Sequence, residues 1–414
     1  DYKDIFCCIR CAACLNVCPA FRLVGGHVYG GSIYTGGIGT LLTSFLNSRE
    51  RGKDIQNICL QCGTCNTVCG GKLDIAGMIL KLRTKFAQED GLNPVHKFCL
   101  DTVADRHLFH SMLRIASVAQ GMITKGQPMI RHLPMFLSGL TAGRSLPSVA
   151  PQPFRDILPT IKQDVPNPKG KIAIFTGCLL DFVYVDIATD VVKALNMAGY
   201  IVEMPLGQAC CGAPATYMGD VENAKKAAEM NLNAMEAEKY DYIVSACPTC
   251  THALRDYVDF FKDDPEMLKK AEELRSKTFD FCKLVSMLGG LPDTGDGVPM
   301  KVTYHDSCHL NRYLGVTKEQ RELLKATKGV ELIEMHDCDK CCGFGGSYSV
   351  KFPEMSAPIL EEKINNIVAS GADVVAVDCP GCLLQIRGGL DARGLNNIQV
   401  KHTAQIVVEK REKK

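Results

Sequence analysis

Tryptophan is absent from this chain of 414 residues, and tyrosine and phenylalanine supply only 12 and 16. So few flat side chains argue against platforms on which nucleic-acid bases stack. An excess of either charge is also missing: 47 Lys and Arg face 46 Asp and Glu, the net charge is +1, and no basic block occurs. Nucleic acid is therefore not an expected partner. No uncharged apolar run approaches the ~18 residues needed to cross a bilayer. The first residues do not read as a secretory leader, because polar residues lead directly into a group of cysteines, and none is expected. An initiator methionine is lacking as well, the mark of a processed chain or a fragment. Neither a G-K-[ST] loop nor a strand-led G-x-G-x-x-G occurs, so no phosphate loop or dinucleotide fingerprint is available.

What the chain has in abundance is cysteine, 22 residues. In a short secreted chain they would imply disulfides. Here they group as C-x-x-C and C-C, too close together to pair mutually without strain. Reduced thiols committed to metal are expected. The expected location is cytoplasmic, at most peripheral to the inner face of the cell membrane. Apolar content of 46% and charged content of 22% suit a globular protein, and the length calls for several domains.

Four segments are expected. Residues 1–85 hold nine grouped cysteines. Residues 86–168 form a helical and Pro-rich connector with Cys99 alone; within it, residues 122–140 are rich in Met and Leu and read as a packing linker or a surface for a partner or membrane. From residue 169 the pattern changes to short apolar strands alternating with helical stretches. Strands are expected at 171–175, 242–246, 302–304 and 374–377, and helices at 186–198, 221–239, 318–326 and 355–370. The cysteines repeat in register. Cys178 matches Cys308 at an offset of 130, Cys210 and Cys211 match Cys341 and Cys342 at 131, and Cys247 and Cys250 match Cys379 and Cys382 at 132. The fold class is therefore α/β: an α-helical cysteine-rich amino-terminal domain, then two repeated modules over 169–300 and 301–414. Several cysteines follow strand ends, where open α/β sheets place ligands.

The run Cys8-x2-Cys11-x2-Cys14-x3-Cys18-Pro19 and its partner Cys59-x2-Cys62-x2-Cys65-x3-Cys69 both have the bacterial ferredoxin spacing. Three cysteines at that spacing wrap one face of a cubane, and the fourth reaches to the other cluster. Cys8, Cys11, Cys14 and Cys69 should hold one [4Fe–4S] cluster, and Cys18, Cys59, Cys62 and Cys65 the second. Zinc ribbons use two C-x2-C pairs instead of this run. Gly70 stands where a proline often follows the fourth cysteine, and Cys7 lies outside the pattern. The intervening glycines, Gly25 to Gly31 around His27 and Gly36 to Gly39, read as packing or turn residues.

The second motif is C-x31-C-C-G-x34-C-x2-C, followed by a copy with x32 and x35. Adjacent cysteines cannot both face an ordinary cubane without an unusual backbone, so Cys178, Cys210, Cys211, Cys247, Cys250, Cys308, Cys341, Cys342, Cys379 and Cys382 are expected to form more than standard ferredoxin centres. The pattern resembles the cysteine-rich CCG domain of the heterodisulfide reductase family. That family includes iron–sulfur subunits of anaerobic glycerol-3-phosphate dehydrogenase, glycolate oxidase and lactate-utilisation complexes. Cys8 to Pro19 with Gly25 to Gly30, and Arg144-Ser145-Leu146-Pro147 to Asp156, resemble the lactate-utilisation ferredoxin-bearing subunit, and the repeat resembles the small CCG-only subunit. The chain thus looks like a fusion of the two, without the large amino-terminal domain of the former.

The resemblance implies two ferredoxin-type [4Fe–4S] clusters, one or two noncubane or related [4Fe–4S] clusters in the CCG modules, and zinc as an alternative at one CCG site. It implies an electron relay from a 2-hydroxy acid, L-lactate foremost. The expected partners are a flavoprotein or other substrate-oxidising subunit and a membrane- or quinone-linked acceptor. The alternatives are a disulfide reductase acting at a noncubane cluster, a glycerol-3-phosphate or glycolate oxidising complex passing electrons to quinone, and a non-enzymatic scaffold. His305 and His309 beside Cys308 are candidate catalytic proton donors. His252, His336, Asp306 and Asp378 also flank the cysteines as proton donors, orienting groups or ordinary strand-end residues. Cys338 reads as a free thiol, like Cys99 and Cys282, with substitution for a pentad member as its alternative.

Overall fold

The computed structural model describes residues 2–26, 34–121, 129–131, 141, 143–292 and 297–411. His27 and most of the Met-rich segment at 122–140 lie outside the described residues. Beyond residue 169 the apolar runs become two four-stranded parallel sheets. The first contains β1 (Gly170–Ile174), β2 (Tyr200–Glu203), β3 (Tyr242–Ser245) and β4 (Thr278–Asp280), in the order β2-β1-β3-β4. The second contains β5 (Met300–His305), β6 (Val330–Leu332), β7 (Val374–Val377) and β8 (Gln399–Lys401), in the order β8-β7-β5-β6. Read from opposite edges, the two orders are the same. Ile172, Ala173 and Ile174 in the first sheet and Val375, Ala376 and Val377 in the second are fully buried. Strands covered on both faces select for such continuous apolar runs and for helical crossovers between parallel neighbours.

The modules share more than topology. Helix Phe281–Met287, which closes the first, packs on helix Glu319–Lys325 of the second; helix Thr403–Glu409, which closes the second, packs on helix Val185–Met197 of the first. This reciprocal exchange gives a pseudo-twofold relation, and Val191 and Leu195 share one hydrophobic core with Val407 and Val408. In each module the chain order reverses between the two central strands, β1 and β3 or β5 and β7. Open α/β sheets bind ligands in the crevice outside the carboxyl ends of such a pair. The residues that follow those four ends are Cys178, Cys247, Cys308 and Cys379.

The expected strands and helices are present with small shifts. Helix Val221–Met235 stops earlier than its apolar pattern, because Glu236 takes a left-handed conformation (φ 41°) before a 3-10 turn at Ala237–Lys239. The outer strands β2, β4, β6 and β8 fall outside that expectation; each has only three or four residues, too few to establish a period.

The amino-terminal domain is helical among its described residues. Leu41, Ile55, Ile75, Ile79, Leu82 and Phe86 supply buried positions from helices Gly37–Leu46, Arg49–Asn57 and Ile75–Asp90. The last helix runs past residue 85 and docks on the first module through the buried Arg83, whose Nη1 donates to the Tyr217 carbonyl at 2.7 Å. On the other side, Tyr313 Oη donates to the Gln61 carbonyl at 2.9 Å, tying the second ferredoxin run to the second module. Among the described residues no helix is long and apolar enough to cross a membrane.

The connector is pinned by an internal ion pair. Arg155 donates to Asp181 from its backbone N–H at 3.0 Å and from Nε at 2.7 Å, with Nη2 also in contact, and Asp181 is fully buried. Removing one partner of such a pair strands a desolvated charge. Arg155→Ala should therefore cost about 3–5 kcal/mol in urea denaturation, and Arg155→Met with Asp181→Leu should recover most of that loss.

Candidate metal centres

Ten cysteines of the repeat line one cavity of about 360 Å³. Their thiols form an unbroken series of contacts: Cys178 touches Cys210, which touches Cys211, which touches Cys250, which touches Cys247. Cys247 meets Cys379 across the pseudo-twofold axis, and the series returns through Cys382, Cys342 and Cys341 to Cys308. Two local devices in each module bring this about. Gly212 and Gly343, with φ of 80° and 84°, turn the chain after each C-C pair against the helix that follows. A Cβ on Gly343 would lie 2.8 Å from the Ser356 carbonyl oxygen, so no larger residue fits there. Cys247 and Cys379 cap helices Pro248–Asp256 and Pro380–Ala392, each with proline in its first turn. Cys250 and Cys382 follow within that turn, where contacts with neighbouring thiols and burial outweigh the helix dipole and hold both thiols well above the ordinary value.

The ferredoxin runs converge in the same crossed manner as their spacing implied. Cys8, Cys11, Cys14 and Cys69 line one small cavity, and Cys18, Cys59, Cys62 and Cys65 line another. Arg10 and Ala12 in the first run and Gln61 and Gly63 in the second all have positive φ, between 56° and 72°. Alternating right- and left-handed residues turn successive N–H groups inward into an anion-binding concavity. The glycine-rich segment contributes a wedge: a Cβ on Gly37 would lie 2.7 Å from Cys14 Sγ. Cys62 and Cys18 pack in one cluster with Cys308 and Cys341, so the second ferredoxin set adjoins the second module.

Soft thiolate donors in buried, convergent groups suit iron–sulfur clusters and, at a single site, zinc. The acid–base chemistry agrees. Contacts from Cys210 and Cys250 lower the Cys211 thiol to about 6, and contacts from neighbouring thiols hold Cys341 and Cys379 well below the ordinary value. Each module thus has at least one thiol shifted towards the thiolate, the ligating form, while burial and neighbouring thiols raise the others. Cys338, Cys99 and Cys282 do not line the cavity: Cys338 lies against Arg321, Cys99 is exposed and Cys282 is buried in the shared core.

His305 and His309 both line the thiol cavity. Burial lowers His309 to about 4, so its ring is neutral at pH 7. Its Nδ1 lies 3.5 Å from Cys308 Sγ and its Nε2 lies 2.7 Å from Tyr217 Oη, which is 3.4 Å from His252 Nδ1; His252 Nε2 reaches Asp256 at 3.2 Å. These five groups form a polar path from the thiol cavity to a partly exposed carboxylate. His305 is also kept neutral by burial, lowered to about 3, and among the described residues neither ring nitrogen has a hydrogen-bond partner. A buried polar group left unpaired costs about 1–3 kcal/mol. Asp306 and Asp378 do not line the cavity. Asp306 pairs with Arg321 at 2.8 Å, and Asp378 accepts from Tyr304 Oη at 2.5 Å. His336 is exposed beside Asp337.

Two basic residues that the sequence did not single out stand at the cavity mouth. Arg83, Lys351 and Asn57 line both the thiol cavity and an outer pocket of about 480 Å³. Arg83 donates to the carbonyls of Gln56, Cys59 and Tyr217. Lys351 has no partner among the described residues, and burial, aided by Arg83, pushes its amine down from 10.5 to about 8. Between those values the unfolded chain binds more protons than the folded one, so stability rises with pH. Lys351→Met should abolish that rise and stabilise the protein at neutral pH, as read from denaturant midpoints at neutral pH and at about pH 9.

Comparison with known proteins places this geometry. The cysteine-rich domain model matches residues 172–255 and again 302–387, and the 4Fe-4S dicluster domain model matches residues 4–73. Lactate utilization protein A of Shouchella clausii (strain KSM-K16) is 39% identical over 240 residues, which cover 58% of this chain and 99% of that protein. Its namesake in Bacillus subtilis (strain 168) is 36% identical over 238 residues, 57% of this chain and 98% of that one. The probable glycolate oxidase iron-sulfur subunit of the same Bacillus strain is 29% identical over 428 aligned positions, covering 99% of this chain and 94% of its own. A crystal structure of a hypothetical protein from Helicobacter pylori covers 90% of this chain and 74% of its own at a TM-score of 0.45 and 10% identity, a likeness too slight to bear on fold or function. The chain belongs to the family of lactate utilization protein A, with the cysteine-rich domain repeated twice and a 4Fe-4S dicluster domain on the same chain.

Proposed function

We propose that the chain is the iron–sulfur electron-transfer subunit of a complex that oxidises lactate or a related 2-hydroxy acid. One observation carries this reading: the cysteine sets adjoin in succession, Cys8, Cys14 and Cys69 packing in one cluster with Cys59 and Cys65, Cys18 and Cys62 packing with Cys308 and Cys341, and the thiol contacts running on from Cys308 to Cys178. The names of the relatives support the substrate class, two being lactate utilization proteins and one an iron-sulfur subunit of glycolate oxidase. Iron–sulfur clusters bound at these sets would supply single-electron transfer. The two ferredoxin sets would hold cubanes, and the five-cysteine sets noncubane or related clusters, with zinc as the competing occupant of one module. The chain's own part is to fix the thiolates, exclude water and carry the path towards a partner. The expected partners are a flavoprotein or other substrate-oxidising subunit and a membrane- or quinone-linked acceptor. Exposed Leu108, Met112, Ile115 and Val118 follow one face of helix Arg106–Ala119 and support such a contact.

A second reading, a disulfide reductase, draws on the basic mouth at Arg83 and Lys351 and on the His309–Tyr217 path, which offer a small anionic disulfide access and a route for protons. The purified complex separates the two. Electron transfer from lactate to an artificial acceptor, without disulfide reduction above background, is the expected result. Rapid reduction of a small heterodisulfide by this chain alone, abolished by His309→Ala, would instead establish the second reading.

Crossed ligation has its own measurement. Cys18→Ser should lower iron content by about four atoms per chain and remove the EPR signal of the cluster built on Cys59, Cys62 and Cys65. Loss of the Cys8–Cys14 cluster alone would contradict it.

A further inference from the structure

The second cysteine-rich module carries a donor that the first lacks. His305 ends β5, is fully buried and lines the thiol cavity, and both its ring nitrogens are without a hydrogen-bond partner among the described residues. A ring nitrogen of His305 and the Sγ atoms of Cys342 and Cys382 all lie within 4.8 Å of one another. The matching position 130 residues earlier is Phe175, also fully buried and near Cys250, as His305 is near Cys382. The two modules therefore offer the same five thiols but different chemistry at this corner. A benzene ring has no lone pair to donate, whereas a neutral imidazole is the commonest nitrogen donor to metals. Buried imidazoles ordinarily satisfy at least one nitrogen, and nothing among the described residues satisfies either one here.

We propose that His305 is a nitrogen ligand of the metal centre held by the second module, acting beside Cys342 and Cys382. The inference rests on the cysteine ligation proposed above and makes the two centres unequal, one all-thiolate and one mixed. Replacing sulfur by imidazole donors raises the potential of an iron–sulfur centre. The second-module centre, which adjoins Cys62 of the ferredoxin domain, is then the more easily reduced of the two. Histidine is equally at home beside cysteine on zinc.

The test uses the full chain, purified anaerobically, with its histidines carrying the heavy nitrogen isotope. Pulsed EPR of oxidised and reduced samples should show one strongly coupled histidine nitrogen. His305→Phe, which copies the first module, should lose that coupling and lower the midpoint potential of one centre while the ferredoxin signals persist. His305→Gln serves the same purpose should the phenylalanine variant not fold. If the centre is diamagnetic zinc, K-edge absorption should find one light scatterer at about 2.0–2.1 Å in the wild type and none in the variant. Weak coupling alone marks a hydrogen bond to sulfur and overturns the proposal, as does a strong coupling that survives substitution. Total iron no greater than two ferredoxin clusters require, with no zinc, would defeat the metal reading of the modules themselves, a separate failure.

Discussion

Ten thiols share one buried cavity, and like charges that close together cannot all ionise unless something positive compensates them. The rest of the molecule answers that constraint. Helix amino termini stand behind Cys250 and Cys382, Arg83 sits as a fixed charge behind Cys59, and along the line of contact Cys211, Cys379 and Cys341 have lowered proton affinity while the thiols on either side of each are raised. Convergent soft donors of this kind suit completion by metal. Sets of them placed in succession suit electron transfer better than binding of one bulky substrate.

The pseudo-twofold exchange of closing helices explains why the sets are continuous. Each module places its cysteines at its own central strand ends, but only the packing of Phe281–Met287 and Thr403–Glu409 onto the opposite module turns those ends towards each other. Cys247 and Cys379 meet at that join. A change that loosened the shared core around Val191 and Val407 would separate the sets without touching a ligand. Stability of the core and continuity of the relay are thus one property here.

The modules are similar in backbone and unequal in chemistry. Cys308 faces His309 and the Tyr217 path; the first module has Leu179 after Cys178 and no matching imidazole. The ferredoxin domain leans on both modules but brings its second cysteine set to the second one. The more polar, histidine-bearing corner of the cavity is therefore the one that adjoins the second ferredoxin set.

The cysteine spacings by themselves determined which thiols gather. A C-x2-C-x2-C turn is too short to present its sulfurs in more than one way, and the register of the repeat made both modules and their central strands legible. Helix and strand identities followed from apolar runs such as Ile172 to Phe175 and Val374 to Val377, which read as buried strands whatever surrounds them. Only the tertiary structure decided the rest. Arg83 and Lys351 reach the cavity mouth from segments some 270 residues apart, and Tyr217 meets His309 across 92. No local pattern marks such residues, because their roles come from contacts between modules. The lone pairs of His305 belong to the same class: in sequence they belong to a strand-end histidine beside a cysteine, and burial without a partner is what sets them apart.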